Sequence, residues 1–265
     1  NDCLLYGYGE SPIVKASCGV INAFRPKDIG IGWQSFQRPG GLYSTMLKKI
    51  IGYSAKGVIW YQGESDDHYP HLYSKLFSKM IECWRCYWKE DLPFIFVQLA
   101  PFEQGVNYVE MRRQQELVEK TVKDAYMVSI CDIGMKTDIH PKNKHDIGYR
   151  LALKALGKVY GEDVICDAPY ADVAELEENN IILKFKDCKE IIISGGALNA
   201  MRIISEDGPV KMRSCVIDGN VLTLRTDCAS EKKHLCVEFA WTPYHEVNLY
   251  NEAGLPAKPF RIEIK

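Results

Sequence analysis

The feature that most restricts the fold is an alternation, across residues 57–160, of short apolar runs and longer segments with helical periodicity. The apolar runs are Gly57–Tyr61, Phe94–Val97 and Tyr126–Cys131. The segments between and after them place apolar residues three or four positions apart, which predicts amphipathic helices over roughly 71–89, 108–118 and 147–160. Strands that are apolar throughout and joined by helical crossovers predict a parallel sheet covered on both faces.

The pattern changes after about residue 165, where short candidate strands follow one another without helical segments between them. These candidates are Ile181–Leu183, Glu190–Ile193, Val210–Ile217, Val221–Leu224, His234–Trp241 and Phe260–Ile264. Turn residues such as Asp218-Gly219-Asn220 separate them. The sequence therefore predicts an α/β domain over residues 1–165 and an antiparallel, β-rich accessory domain over residues 166–265.

Charge and hydropathy exclude several classes of partner. The 33 Lys and Arg residues nearly balance the 35 Asp and Glu residues, whereas nucleic acids and anionic membranes select basic surfaces. No apolar run approaches the roughly 18 residues of a membrane-spanning helix. We therefore expect neither a nucleic acid nor a membrane as partner.

The ten cysteines do not indicate a cellular compartment, because a chain of this length builds a core without disulfides. Cys83-Trp84-Arg85-Cys86 is the only CxxC motif, and structural zinc sites usually pair two such clusters. We therefore predict two cysteines on one helix face. The histidines are scattered, and no P-loop motif and no Gly-x-Gly-x-x-Gly after a strand occurs, so we predict neither a metal nor a cofactor. The chain begins with Asn1 rather than Met, which predicts a processed chain or a fragment.

Polar clusters follow each of the three predicted parallel strands. They are Gln62–Asp67, Gln98–Phe102 and Asp132–Pro141. In an open parallel sheet, ligands bind beyond the carboxyl ends of the strands. The three clusters together therefore predict a functional site at one edge of the sheet.

The third cluster contains Asp138-Ile139-His140-Pro141. A loop histidine with a carboxylate two residues away has the composition of a general base that an acid orients. The alternative is a surface loop in which Asp138 caps a turn before a helix, and the nearby Lys142 and Lys144 are compatible with such exposure.

The first cluster contains Gln62-Gly63-Glu64. Gly63 permits a close approach of the backbone to a ligand, and the Gln62 amide is suited to donate to a developing oxyanion. The alternative is that Gln62 and Glu64 satisfy backbone groups at a strand end. We also predict a structural ion pair between Arg112 or Arg113 and either Glu64 or Asp132.

Longer motifs occur in one order along residues 41–265. They are Gly41–Met46, Lys56–Ser65, Trp84-Arg85 with Trp88, Leu92–Phe94, Val97–Ala100, Arg112 with Gln115, Asp138–Lys144, Gly148–Leu151, Asn248–Asn251, Gly254–Pro256 and Pro259–Arg261. In these motifs the chain resembles the sialate O-acetylesterases. The resemblance implies a partial SGNH-hydrolase-like (flavodoxin-like) α/β domain with flanking helices, followed by an antiparallel β domain. It also implies metal-independent hydrolysis of acetyl esters on carbohydrates, typically O-acetylated sialic acid.

The resemblance also implies roles for individual residues. It gives a serine nucleophile, His140 as its base, and Gln62 and Gly63 in the segment that helps to form the oxyanion pocket, with Glu64 beside them. The carboxylate of the wider superfamily usually lies three residues before the histidine, a position that Thr137 occupies here. Asp138 is therefore the predicted orienting acid, with Asp132 or a backbone carbonyl as alternatives.

The family's nucleophile lies in a Gly-Gln-Ser-Asn motif upstream of the matched region, and this sequence contains no such motif. Ser11 and Ser65 are weaker candidates, so we expect the serine to come from outside this chain. A parallel sheet that lacks this strand exposes an edge and an apolar face. We therefore predict a missing segment, a second chain or self-association along that edge.

Two other functions remain open at this point. One is an esterase of acetylxylan type on the same fold. The other is a non-catalytic carbohydrate-binding protein that descends from an esterase, for which the absent nucleophile is the argument. The family is often exported, but the cysteines leave the compartment undecided.

Overall fold

The structure is a computed structural model and describes residues 42, 43 and 46–264. These residues form a mixed α/β fold in which a parallel sheet is followed by antiparallel sheets. The predictions that concern Ser11 and the start of the motif at Gly41 lie outside the described residues.

The parallel sheet has three strands in the order β1-β2-β3. They are β1 (Val58–Trp60), β2 (Phe94–Val97) and β3 (Ala125–Val128). The helices are α1 (Pro70–Trp88), α2 (Tyr108–Thr121) and α3 (Lys144–Ala155), which continues as a π-helical turn over Leu156–Tyr160. The predicted parallel sheet and its helices are therefore confirmed, and Cys83 and Cys86 both lie in α1. None of the helices in the described ranges is both long and apolar enough to cross a membrane.

Apolar side chains pack on both faces of this sheet. One cluster joins it to α1 and α2 and includes Phe77, Phe94 and Met111. The other joins it to α3 and includes Ile95 and Ile147. All four residues of β2 are buried, as expected for a central strand.

Strand β1 departs from this prediction. Ile59 is 64% exposed, although its neighbour in the register, Ile95, is buried. In the part of the chain that the structure describes, no strand pairs with the outer edge of β1. The prediction of cover on both faces is therefore wrong for β1, because no described element packs over Ile59.

The antiparallel part forms two four-stranded sheets and a two-stranded ribbon, in the orders β4-β5-β10-β9, β13-β11-β7-β8 and β12-β6. Their strands are β4 (Tyr170–Glu177), β5 (Asn180–Lys186), β6 (Ile191–Ile193), β7 (Met201–Ser205), β8 (Gly208–Val210), β9 (Met212–Asp218), β10 (Val221–Thr226), β11 (Cys236–Phe239), β12 (Leu249–Asn251) and β13 (Phe260–Glu263). Most of their inward side chains form one separate core.

Sequence periodicity missed three of these strands, β4, β7 and β12. Strand β4 alternates apolar residues with acidic ones, and β12 has only three residues. The predicted run Val210–Ile217 belongs to two strands, since β8 pairs with β7 in one sheet and β9 pairs with β10 in another. Gly208, the first residue of β8, has a φ of 115°. Such a positive φ favours glycine.

The parallel and antiparallel parts make direct contacts. The Lys258 ammonium lies 2.7 Å from the Glu119 carboxylate, and the Cys131 thiol donates to the Ala257 carbonyl at 3.2 Å. The change from parallel to antiparallel pairing falls between Tyr160 and Tyr170. The division into domains 1–165 and 166–265 remains a prediction.

Candidate active site

The three polar clusters lie at one edge of the parallel sheet. Because β1, β2 and β3 run in the same direction, the segments that begin at Gln62, Gln98 and Ser129 all leave the sheet at its carboxyl edge. This is the edge at which open α/β sheets bind ligands. The side chains of helix α2 approach it from one face.

Gln115 of α2 fastens two of these segments together. Its side chain is fully buried, and its Oε1 accepts a hydrogen bond of 2.8 Å from the Leu99 amide. Its Nε2 donates to the carbonyls of Val97 at 3.3 Å and Gln62 at 3.4 Å. The Tyr73 hydroxyl donates to the same Gln62 carbonyl at 3.0 Å. The ends of β1 and β2 are thus held by side chains, a role that periodicity does not reveal.

Gly63 has a conformation that a side chain would strain. Its φ is 142°, and it precedes the 3₁₀ turn Glu64–Asp66. The Gln62 Nε2 donates to the Asp66 carboxylate, so the alternative in which the Gln62 side chain satisfies a backbone group is not what the structure shows. A primary amide has two N–H donors, which leaves Gln62 a second one.

Glu64 is half-buried and adds negative charge close to three tyrosines. Burial, with a smaller contribution from Glu64, raises the pKa of Tyr61 to about 12. Burial also raises the pKa of Tyr73 to about 12 and that of Tyr108 beyond its ordinary value. All three phenols are therefore neutral at physiological pH.

His140 and Asp138 lie together in the loop before α3. The His140 backbone N–H donates to Asp138 Oδ1 at 2.9 Å, and His140 Nδ1 lies 3.7 Å from the same oxygen. The imidazole is 86% exposed, and Asn143 caps the following helix by accepting from the Asp146 N–H. The structure thus contains both the Asp-capped turn and a carboxylate next to an accessible imidazole.

Asp132, the alternative acid, is engaged elsewhere. Its carboxylate accepts two hydrogen bonds of 2.6 and 2.7 Å from the Arg150 guanidinium on α3. A bidentate pair of this kind is geometrically specific. Asp138 is therefore the carboxylate that lies beside His140.

The ion pairs predicted for Arg112 and Arg113 are wrong. Arg113 makes a bidentate pair with Glu110 on the same exposed helix face, with both bonds 2.7 Å long. Arg112 points inward and binds no carboxylate of the described residues. Its guanidinium donates to the carbonyls of Leu99, Ala100, Thr242 and Pro243 at 2.7–3.3 Å. Burial lowers the pKa of Arg112 to about 10, so it remains charged at neutral pH.

His245 lies in the segment that Arg112 holds. Its Nδ1 is 3.2 Å from the Thr242 carbonyl, and its buried Nε2 has no hydrogen-bond partner in the part of the chain that the structure describes. Burial, followed by the positive charge of Arg112, lowers the pKa of His245 from its usual 6.5 to about 3. The imidazole is therefore neutral in the folded protein, with its proton on Nδ1.

This histidine makes stability depend on pH. Between pH 6.5 and 3 the unfolded state binds a proton at His245 that the folded state does not, so stability falls as the pH falls through this window. One such proton contributes at most about 1.4 kcal/mol per pH unit. His245→Asn keeps a donor toward Thr242, and we expect denaturant unfolding of this variant to show a smaller loss of stability from pH 6.5 to 4. An unchanged slope would contradict this assignment.

Two further features bear on the chemistry. Ser65 shares the loop of Gln62 and is exposed. Within the described residues, no group of three His, Cys, Asp or Glu side chains is arranged to hold a metal ion.

Comparisons with known proteins identify relatives of this chain. A family model described as carbohydrate esterase, sialic acid-specific acetylesterase, matches residues 27–157. The sialate O-acetylesterase of Mus musculus is 27% identical over 84% of this chain, and that of Homo sapiens is 25% identical over 92%. A crystal structure of a carbohydrate acetylesterase from Xanthomonas citri is 33% identical and superposes with a TM-score of 0.75, covering 85% of this chain and 54% of that one. The chain spans 47% and 52% of the mouse and human proteins, about half of their length.

Proposed function

Because the chain belongs to the sialic acid-specific acetylesterase family of carbohydrate esterases, we propose that it carries part of the active site of an enzyme that removes O-acetyl groups from carbohydrates, with O-acetylated sialic acid as substrate. The observation that carries the proposal is the accessible His140 imidazole beside Asp138, in a segment that follows β3 as Gln62-Gly63-Glu64 follows the parallel strand β1.

The reaction proceeds through an acetyl-enzyme. A serine hydroxyl attacks the acetyl carbonyl while His140 accepts its proton, and Asp138 stabilises the imidazolium. The Gln62 amide and the backbone at Gly63 face the developing oxyanion. The proton then passes from His140 to the departing sugar oxygen. In the second half of the reaction, His140 deprotonates water, which releases acetate and restores the serine.

We further propose that the parallel sheet is of SGNH-hydrolase type and that the serine lies on a strand that pairs with the outer edge of β1. The exposure of Ile59 and the unpaired edge support this placement. A further segment of the same protein, a second chain and a second copy of this chain are the sources to be distinguished.

The substrate is tested by measuring the acetate that the protein, with its complete natural sequence, releases from acetylated carbohydrates. We expect faster release from O-acetylated sialic acid than from acetylated xylo-oligosaccharides at equal ester concentration. Faster release from the xylose oligomers would favour the acetylxylan alternative. Glycan binding without any acetate release would favour a non-catalytic binding protein.

A further inference from the structure

A contact outside the proposed catalytic set joins two residues that flank the first and the third polar cluster. Lys144 is the first residue of α3, four positions after His140, and its Nζ lies 4.8 Å from the centroid of the Tyr61 ring. An ammonium within about 6 Å of an aromatic face is attracted by the ring quadrupole. Tyr61 immediately precedes Gln62, so this contact links the end of the His140 loop to the start of the Gln62-Gly63 segment.

The Tyr61 ring is a fixed platform for this ammonium. Its ring packs against the cluster between the sheet and α3, which includes Ile95, Val97 and Ile147. Its hydroxyl is buried and has no hydrogen-bond partner among the described residues. Packing of the ring, and not a hydrogen bond of the hydroxyl, therefore holds Tyr61 in place. Lys144 contacts this packed ring.

The His140 loop has few other polar connections to the sheet edge, although Pro141 next to His140 is buried. In the described part of the chain, the hydrogen bonds found for residues 137–143 stay within the loop or the first turn of α3. At the start of the loop, the Lys136 carbonyl accepts from the Glu103 amide at 3.2 Å. At the end of the loop, the contact between Lys144 and Tyr61 connects it to the segment after β1.

We propose that Lys144 is a positioning residue whose contact with the Tyr61 ring holds the His140 loop against the Gln62-Gly63 segment. The imidazole and the oxyanion side of the site thereby keep one relative geometry. This inference rests on the proposed function. It assigns Lys144 no contact with the substrate, and its effect passes through His140.

The kinetic test compares Lys144→Met, Lys144→Arg and Lys142→Met in the protein with its complete natural sequence. Lys142 is a basic, exposed residue of the same loop and is the matched control. In Lys144→Met we expect kcat to fall about fivefold with KM unchanged, the factor for an exposed cation–π pair of ~1 kcal/mol. Lys144→Arg restores kcat because a guanidinium also stacks on an aromatic face. Lys142→Met leaves kcat unchanged.

A second readout does not depend on activity. We expect faster amide hydrogen exchange over residues 136–143 in Lys144→Met and in Tyr61→Leu, with no further increase in the double variant, and no change in Tyr61→Phe. Wild-type exchange in Lys144→Met, or equal losses of kcat in Lys144→Met and Lys142→Met, would overturn the proposal. If the exchange pattern holds but the wild-type protein releases no acetate, the contact stands and the proposed function fails.

Discussion

Replacement of His140 by alanine is expected to lower kcat for acetyl-ester hydrolysis by about 10²- to 10⁴-fold, the range for loss of a general base. The imidazole is 86% exposed and its ring makes no packing contact in the core, so the variant should fold normally. The loss therefore reports on proton transfer and not on stability. Acetate release and thermal unfolding, measured on the same preparation, separate the two effects.

His145 provides the matched control for this experiment. It is also an exposed histidine with a carboxylate partner, since its Nδ1 lies 3.0 Å from Asp146. It lies in the first turn of α3 instead of the preceding loop. We expect His145→Ala to keep nearly full activity. Retained activity in His140→Ala would remove the proposed base, and equal losses in both variants would show that the loss does not depend on His140 specifically.

Replacement of Arg112 by methionine is expected to lower the free energy of unfolding by about 3–5 kcal/mol, because charged hydrogen bonds to buried carbonyls are lost and those carbonyls stay without donors. Arg112 is 2% exposed and donates to carbonyls of both the segment after β2 and the Thr242-Pro243 segment. Methionine fills similar space, which limits the contribution of a cavity. Denaturant unfolding gives the value.

The neighbouring Arg113 distinguishes burial from residue type. Its guanidinium pairs with Glu110 on the exposed face of α2, where an ion pair contributes only about 0–1 kcal/mol. Arg113→Met should therefore unfold at nearly the wild-type denaturant concentration. A loss below about 1 kcal/mol in Arg112→Met would show that water replaces the missing donors.

Part of the candidate site follows from local sequence and part does not. The positions of Gln62 and Asp138 in segments that follow β1 and β3 were predictable, because apolar strands and amphipathic helices repeat at their own periods. The partners of Arg112 and Arg113 were not, although both were recognised as structural. Adjacent positions on a helix differ by about 100° in direction, so one guanidinium turns inward and the other faces solvent.

The strands that periodicity missed also depend on residues that are distant in the sequence. Strand β12 has three residues, Leu249–Asn251, and is defined by pairing with β6 more than fifty residues away. Strand β4 carries acidic residues at half-buried and exposed positions, which weakens its apolar signal. Short or half-polar strands depend on a partner for their hydrogen bonds, and periodicity in one segment contains no information about that partner.

By itself, the amino-acid sequence determined the parallel α/β arrangement and the edge at which polar loops gather, since hydrophobic period and strand direction are properties of short segments. Only the tertiary structure decided that Arg150 forms an ion pair with Asp132, that Gln115 joins two strand ends and that Lys144 lies over Tyr61. Each of these contacts joins residues that lie between 16 and 83 positions apart, and a contact at such separation depends on how the helices dock against the sheet.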